Sequence, residues 1–269
     1  MKNKTFLIPW SGGLDSTYSV LYHLHRGHTV HAPYFAISNN TNKVDQEKIT
    51  RARFSTMEPF KSFIAQGKLI LIDGGETYIS NPATHGRFAP SLSQPIIWLM
   101  HSLFTLDLDV DYESVVISYV SGDCAVGWID DIRDIWNAYK QMIIPNKRIY
   151  RKYPRIEFPW IKYDKNDLVD GIEIMYGAQA DDIFKYIWWC EQPNRFGFLC
   201  GSCDPCVRYK SIHPFSGMHI CADESMESDA TVEIEGRGIE SVDVTIDVDA
   251  KPKTHRIFNR LRRYHVKQI

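Results

Sequence analysis

Along residues 5–190 the apolar positions switch between two periods. Short apolar runs such as Thr5 to Trp10 read as strands. Longer stretches with apolar residues three or four apart, such as Tyr18, Leu21, Tyr22 and Leu24, read as helices. The predicted strands are 5–10, 29–35, 68–73, 114–120 and 155–160. The predicted helices are 16–26, 44–65, 95–106, 130–143, 165–176 and 181–190. Gly27 stands where a helix end needs a residue free to turn left-handed. Asp164 is placed to cap the helix that follows it. Pro59 should bend or break the long second helix, and Pro9, lacking an N–H, should end the first strand early. Such alternation predicts an α/β fold, a doubly wound and mostly parallel sheet with helices on both faces.

After residue 210 the pattern changes. Val232 and Ile234, then Val242, Val244, Ile246 and Val248, alternate with polar residues, which predicts one hairpin turning near Gly236-Arg237-Gly238. The chain then ends in a basic stretch containing Arg256, Arg260, Arg262, Arg263 and Lys267. The expected organisation is an α/β domain over 1–188, a cysteine-bearing segment over 189–210 and a C-terminal extension over 211–269.

Composition narrows the class. A 269-residue chain with 44% hydrophobic residues has enough apolar surface for a sizeable core. A net charge of −2 supplies no field that would draw it to nucleic acid or a membrane. No apolar run approaches the ~20 residues of a membrane span. The start, Met-Lys-Asn-Lys-Thr, carries no signal-peptide pattern, so a cytoplasmic location is expected. In that reducing setting six cysteines point to metal or chemistry rather than disulfides.

The most informative motif follows the first strand. Ser11-Gly12-Gly13-Leu14-Asp15-Ser16-Thr17 leads into a helix, and strand, glycine-rich turn and helix N-terminus together hold phosphate. The glycines let the backbone approach an anion closely. The loop lacks the Gly-Lys-Ser/Thr ending of a Walker motif and the third glycine of the dinucleotide fingerprint. The plainer alternative is a tight strand–helix turn capped by Asp15 or Ser16.

Near the other end, Cys190, Cys200, Cys203 and Cys206 are spaced C-x9-C-x2-C-x2-C. Four thiolates with no open position describe a structural Zn²⁺ site, with an iron–sulfur cluster as the alternative. Cys124 and Cys221 stand apart and read as buried or idle thiols.

The loop resembles the pyrophosphate loop of the ATP pyrophosphatase superfamily. Loop and cysteines together resemble the QueC family, the 7-cyano-7-deazaguanine synthases, over about residues 5–210. Trp189-Cys190 and Cys200-Gly201-Ser202-Cys203-Asp204-Pro205-Cys206-Val207-Arg208 are similar to that family's zinc segment. Asp131 and Arg133, in Ile129-Asp130-Asp131-Ile132-Arg133, match its Tyr-Pro-Asp-Cys-Arg. Lys165, after Pro159-Trp160, matches the lysine of its Pro-Leu-x-x-x-x-Lys segment.

The resemblance implies an adenine-nucleotide alpha-hydrolase-like sheet with ATP, Mg²⁺ and Zn²⁺ as cofactors. The loop's N–H groups and the hydroxyls of Ser11, Ser16 and Thr17 would hold pyrophosphate, with Asp15 orienting the loop or placing Mg²⁺. Lys165 and Arg133 would stabilise charge on the transferring phosphate. Asp131, with Arg133, would bind a deazaguanine. For Asp131 and Lys165 a surface ion pair is the bland alternative. The implied reaction adenylates the carboxylate of 7-carboxy-7-deazaguanine, lets ammonia attack to give the amide, and uses a second ATP to form the nitrile.

Two segments depart from the family. Phe35-Ala36-Ile37-Ser38-Asn39-Asn40 stands in place of a Tyr-Gly-Gln-Arg-His-like stretch. Phe88-Ala89-Pro90-Ser91-Leu92-Ser93 replaces a Val-Pro-Gly-Arg-Asn-like one, keeping only the proline. These departures motivate a second reading, a QueC-like paralogue that joins the activated acid to another amine, such as one on a protein; relatives of the family occur in antiviral defence clusters and in phages. A third reading is a zinc-containing nucleic-acid-binding module using the basic C-terminal stretch, against which the net charge weighs. The resemblance also allows a homodimer.

Overall fold

A computed structural model describes residues 3–37, 41–77, 99–102, 105–107, 109–143, 153–194 and 196–217. The chain divides into two compact units, Met1–Ala222 and Asp223–Ile269, and every described residue belongs to the first. The expected hairpin, the basic stretch, Cys221 and the segments Ser38–Asn40 and Phe88–Ser93 lie outside the described residues.

Five strands form one sheet: β1 (Thr5–Leu7), β2 (Thr29–Ile37), β3 (Leu69–Thr77), β4 (Tyr112–Val116) and β5 (Arg155–Glu157). They lie in the order β3-β2-β1-β4-β5, and every pairing is parallel. The order reverses between β1 and β4. A crevice therefore opens beyond the carboxyl ends of these two strands, where such sheets bind ligands.

Strand residues alternate between two cores, as a sheet covered on both faces requires. Phe6, Ile8, Val30, Ala32 and Val116 pack on one side with α1 (Leu14–His25), α2 (Thr41–Thr56), α3 (Phe60–Ala65) and α5 (Lys165–Tyr176). Leu7, Val115, Ile117 and Ile156 pack on the other with α4 (Ile129–Ile143). The α/β, doubly wound expectation agrees with this arrangement.

Local chemistry explains most boundaries. Regular pairing of β1 stops before Pro9, yet Ile8 N–H donates to His31 O and Trp10 N–H to Pro33 O, both at 2.9 Å. Pro9 sits between two donors aimed at β2, where its missing N–H costs β2 nothing. The predicted helix 44–65 is two helices, α2 and α3, interrupted at residues 57–59 as Pro59 foretold. Gly27, at φ 80°, follows the end of α1. Asp164 accepts from Asn166 N–H and Asp167 N–H at 2.7 and 3.0 Å, and Asp167 reaches back to Asp164 N–H, a capping box that fixes Lys165 as the first residue of α5.

Besides β1, three predicted elements are shorter than expected. Strand 114–120 is Tyr112–Val116, and strand 155–160 stops at Glu157. Helix 181–190 ends at Phe184 in α6 (Ala180–Phe184). Residues 186–190 leave the helix because Trp188 N–H donates to Gly12 O at 3.2 Å, so this segment lies against the glycine loop. A last short helix, α7 (Asp204–Tyr209), carries Cys206 and Arg208.

Candidate functional site

A cavity of about 450 Å³ opens at the crevice beyond β1 and β4, within the range of small-ligand sites. Ser11, Gly13, Leu14, Asp15 and Ser16 form its floor. Gly13 is the N-cap of α1 and no side chain caps this helix, so the cap at Asp15 or Ser16 that the plainer alternative called for is not made. Ser16 Oγ instead donates to Gly13 O at 3.2 Å and lies 3.3 Å from Ser11 Oγ. The loop depends on Gly12: its φ is +87°, and a Cβ there would lie 2.5 Å from Thr50 Cγ2.

Thr17 takes a different part from the one expected. It is fully buried, and its hydroxyl accepts the Trp10 indole N–H at 3.0 Å. That hydroxyl ties the loop to the core, and Thr17 is not among the residues that line the cavity.

Lys165 reaches the loop from α5. Its Nζ lies 2.8 and 2.7 Å from the two carboxylate oxygens of Asp15 and 4.0 Å from Asp123. Burial pushes the Asp15 carboxyl above the usual carboxylate range, Lys165 pulls it back, and Asp123 pushes it up again. The ammonium also lies over the Tyr209 ring, 5.5 Å from its centroid. Tyr209 stacks on Trp189 with centroids 4.7 Å apart and planes 4° from parallel. Trp189 is the residue before Cys190, so the cysteine segment is packed into the floor of the site.

Cys190, Cys200, Cys203 and Cys206 offer sulfurs that all lie within 4.8 Å of one another. The Cys190 and Cys203 sulfurs are 4.0 Å apart. A tetrahedral cation with Zn–S of about 2.3 Å needs sulfurs ~3.8 Å apart. Backbone N–H groups of Cys200 and Cys203 donate to the Cys190 and Cys200 sulfurs, both at 3.3 Å, and such bonds orient thiolates that hold a metal. Burial pushes the Cys206 thiol up to about 11. For Cys200 burial acts in the same direction, but hydrogen bonds from Ser202 and Cys203 outweigh it and bring the thiol down to about 6. This cluster could hold a metal ion such as zinc.

The cavity lining also carries a network that sequence patterns do not single out. Lys43 of α2 bonds to Glu191 and lies 3.9 Å from Glu47. Tyr34 donates to Glu47 at 2.9 Å. Burial pushes the Glu47 carboxyl up to about 7, against Lys43 and the Tyr34 hydroxyl. Arg208 closes the near side, donating to Gly122 O at 3.0 Å and pairing with Asp204 at 2.8 Å.

Asp131 and Arg133 are not brought to the cavity. Asp131 is exposed on α4, while Arg133 pairs with Asp130 at 3.1 Å and lies over Phe158. The inward face of α4 is set by Ile129, Ile132 and Trp136, and neither residue is on it. The charged groups that line the cavity with the loop include Lys165, Asp123 and Arg208 instead.

No protein-family model matches this chain, and no curated protein matches it. Among the described residues no helix is long and apolar enough to cross a membrane.

Proposed function

We propose that the protein is an ATP-dependent ligase that adenylates the carboxylate of 7-carboxy-7-deazaguanine. The observation that carries the reading is the meeting of Lys165 with Asp15 in the loop, at 2.7 Å, beyond the switch point of a parallel sheet. A carboxylate is a poor acyl donor until one of its oxygens belongs to a good leaving group. Attack of that oxygen on the α-phosphorus of ATP forms the acyl-adenylate and releases pyrophosphate. Ammonia then attacks the acyl carbon and displaces AMP to give the amide. A second adenylation, on the amide oxygen, allows loss of AMP and a proton to form the nitrile.

The loop N–H groups at the start of α1 and the hydroxyls of Ser11 and Ser16 bind the departing pyrophosphate. Lys165 stabilises the charge that builds on the transferring phosphoryl group. Asp15 is the carboxylate that would help place Mg²⁺ against the phosphates, and Mg²⁺ would neutralise phosphate charge. Cys190, Cys200, Cys203 and Cys206 would hold Zn²⁺, whose role would be structural, keeping Trp188 and Trp189 against the loop.

Pyrophosphate release from ATP on addition of 7-carboxy-7-deazaguanine tests the proposal. Release that depends on the acid supports it. No release with any deazaguanine acid overturns it. Mass spectrometry of the product identifies the nucleophile, since ammonia gives a free amide or nitrile and a protein amine gives a conjugate.

A further inference from the structure

Resting on the reading of this cavity as a site that activates a carboxylate, we infer that the Trp128 indole is the stacking platform for a planar heteroaromatic acid whose ring carries N–H and amino donors. Other aromatic side chains lining the cavity already have their faces or polar groups engaged. Trp189 and Tyr209 stack on each other, Tyr119 stacks on Phe158 at 6.1 Å, and the Trp188 indole N–H is held by Cys190 O at 3.0 Å. Trp128 is 60% exposed, and among the described residues its ring has no aromatic or hydrogen-bonding partner.

A single exposed aromatic on a convex surface needs no explanation. Trp128 differs because it lines a cavity and ends a turn that also carries a carboxylate. The 3₁₀ turn Cys124–Trp128 has Asp123 as its N-cap, so the ring and this carboxylate belong to one wall. Asp123 lies 4.0 Å from Lys165. A ring lying on the indole would have an anionic acceptor for its N–H edge and the Lys165 ammonium near its carboxylate. An aliphatic acid would use neither the indole face nor the acceptor.

Exchange of Trp128 leaves the core untouched, so the variants fold, which equal melting temperatures would verify. Calorimetric titration of the full chain with 7-carboxy-7-deazaguanine, in the presence of α,β-methylene-ATP to block turnover, reads the subsite directly. Trp128→Ala should weaken binding of the acid roughly ten- to hundredfold, the range expected for loss of one base-stacking contact. Trp128→Phe should restore most of it, and the affinity for α,β-methylene-ATP should stay unchanged in both. Unaltered binding of the acid by Trp128→Ala overturns the inference. So does weakened nucleotide binding with unaltered acid binding, which would place adenine on the indole, and so does a failure of the wild-type chain to bind the acid. Stacking that is lost in Trp128→Ala, in a wild-type chain that never releases pyrophosphate, would keep the subsite and discard the ligase reading. Pyrophosphate release by Trp128→Ala at the wild-type KM for the acid would do the reverse.

Discussion

The Lys165 ammonium meets both carboxylate oxygens of Asp15, at 2.8 and 2.7 Å, across 150 positions of sequence. Each partner is fixed by its own helix start. Asp15 lies in the first turn of α1, and Lys165 is the first residue of α5, where the Asp164 capping box sets it. The pair keeps a cation beside the glycine loop without leaving it bare in the cavity.

Lys165→Ala should therefore lower kcat for acid-dependent pyrophosphate release by roughly 10²–10³-fold, the scale of removing one preorganised charge from a transition state. Asp15→Asn should lower it as well. The two changes should combine non-additively, because each removes the other's partner. Steady-state release at saturating ATP measures this, and an unchanged kcat in Lys165→Ala would count against the assigned role.

The cysteine cluster and the loop should fail together. Cys190 and Cys206 are buried in the same core as Trp10 and Leu14, and Trp188 N–H holds Gly12 O. Cys203→Ser, or treatment with a strong chelator, should remove about one metal ion per chain by elemental analysis. A loss of ~3 kcal/mol would lower Tm by roughly 5–10 °C. ATP affinity should fall in the same samples. A metal-free protein with normal ATP binding would show that the brace from Trp188 is dispensable.

Gly12→Ala meets two penalties at once. The backbone is at φ +87°, and the new Cβ would lie 2.5 Å from Thr50 Cγ2. Non-glycine residues in such a conformation cost about 1–3 kcal/mol before any clash. Equilibrium denaturation should show a loss of at least that size. Gly27→Ala gives the matched control, because its φ is +80° with nothing within 4 Å of the added Cβ. It should lose stability without losing pyrophosphate release, whereas Gly12→Ala should lose both.

The parts of the site that could be read in the sequence are those carried by local patterns. The glycine loop, the cysteine spacing, the Asp164 cap and the break at Pro59 are each written within a few residues. Contacts between distant positions are not. Nothing along the chain pairs Lys43 with Glu191, 148 positions away, or stacks Trp189 on Tyr209. Thr17 shows a second limit, since a hydroxyl in a phosphate-loop pattern can equally accept the Trp10 indole N–H. The outward placement of Asp131 and Arg133 was readable, because Ile129, Ile132 and Trp136 already mark the buried stripe of α4. The end of the helix expected over 181–190 is not legible either, because the bond from Trp188 to Gly12, a tertiary contact, decides it.

Acid should destabilise the fold through His23. Its ring is buried against Phe6, 4.1 Å between centroids, and neither ring nitrogen has a hydrogen-bond partner among the described residues. Burial, followed by repulsion from His28 and Arg26, lowers its pKa from 6.5 to about 4. A histidine depressed in the folded state binds its proton more readily when the chain unfolds. Stability is therefore fully present above the unfolded value of 6.5 and is lost as pH falls from there toward about 4. Linkage over that window gives a loss of about 2 kcal/mol between neutral pH and pH 5. Denaturant titrations at several pH values should show this slope in the wild type and a shallower one in His23→Leu, which keeps the apolar contact and has no proton to bind. Equal slopes in the two proteins would exclude His23 as the acid-sensitive group.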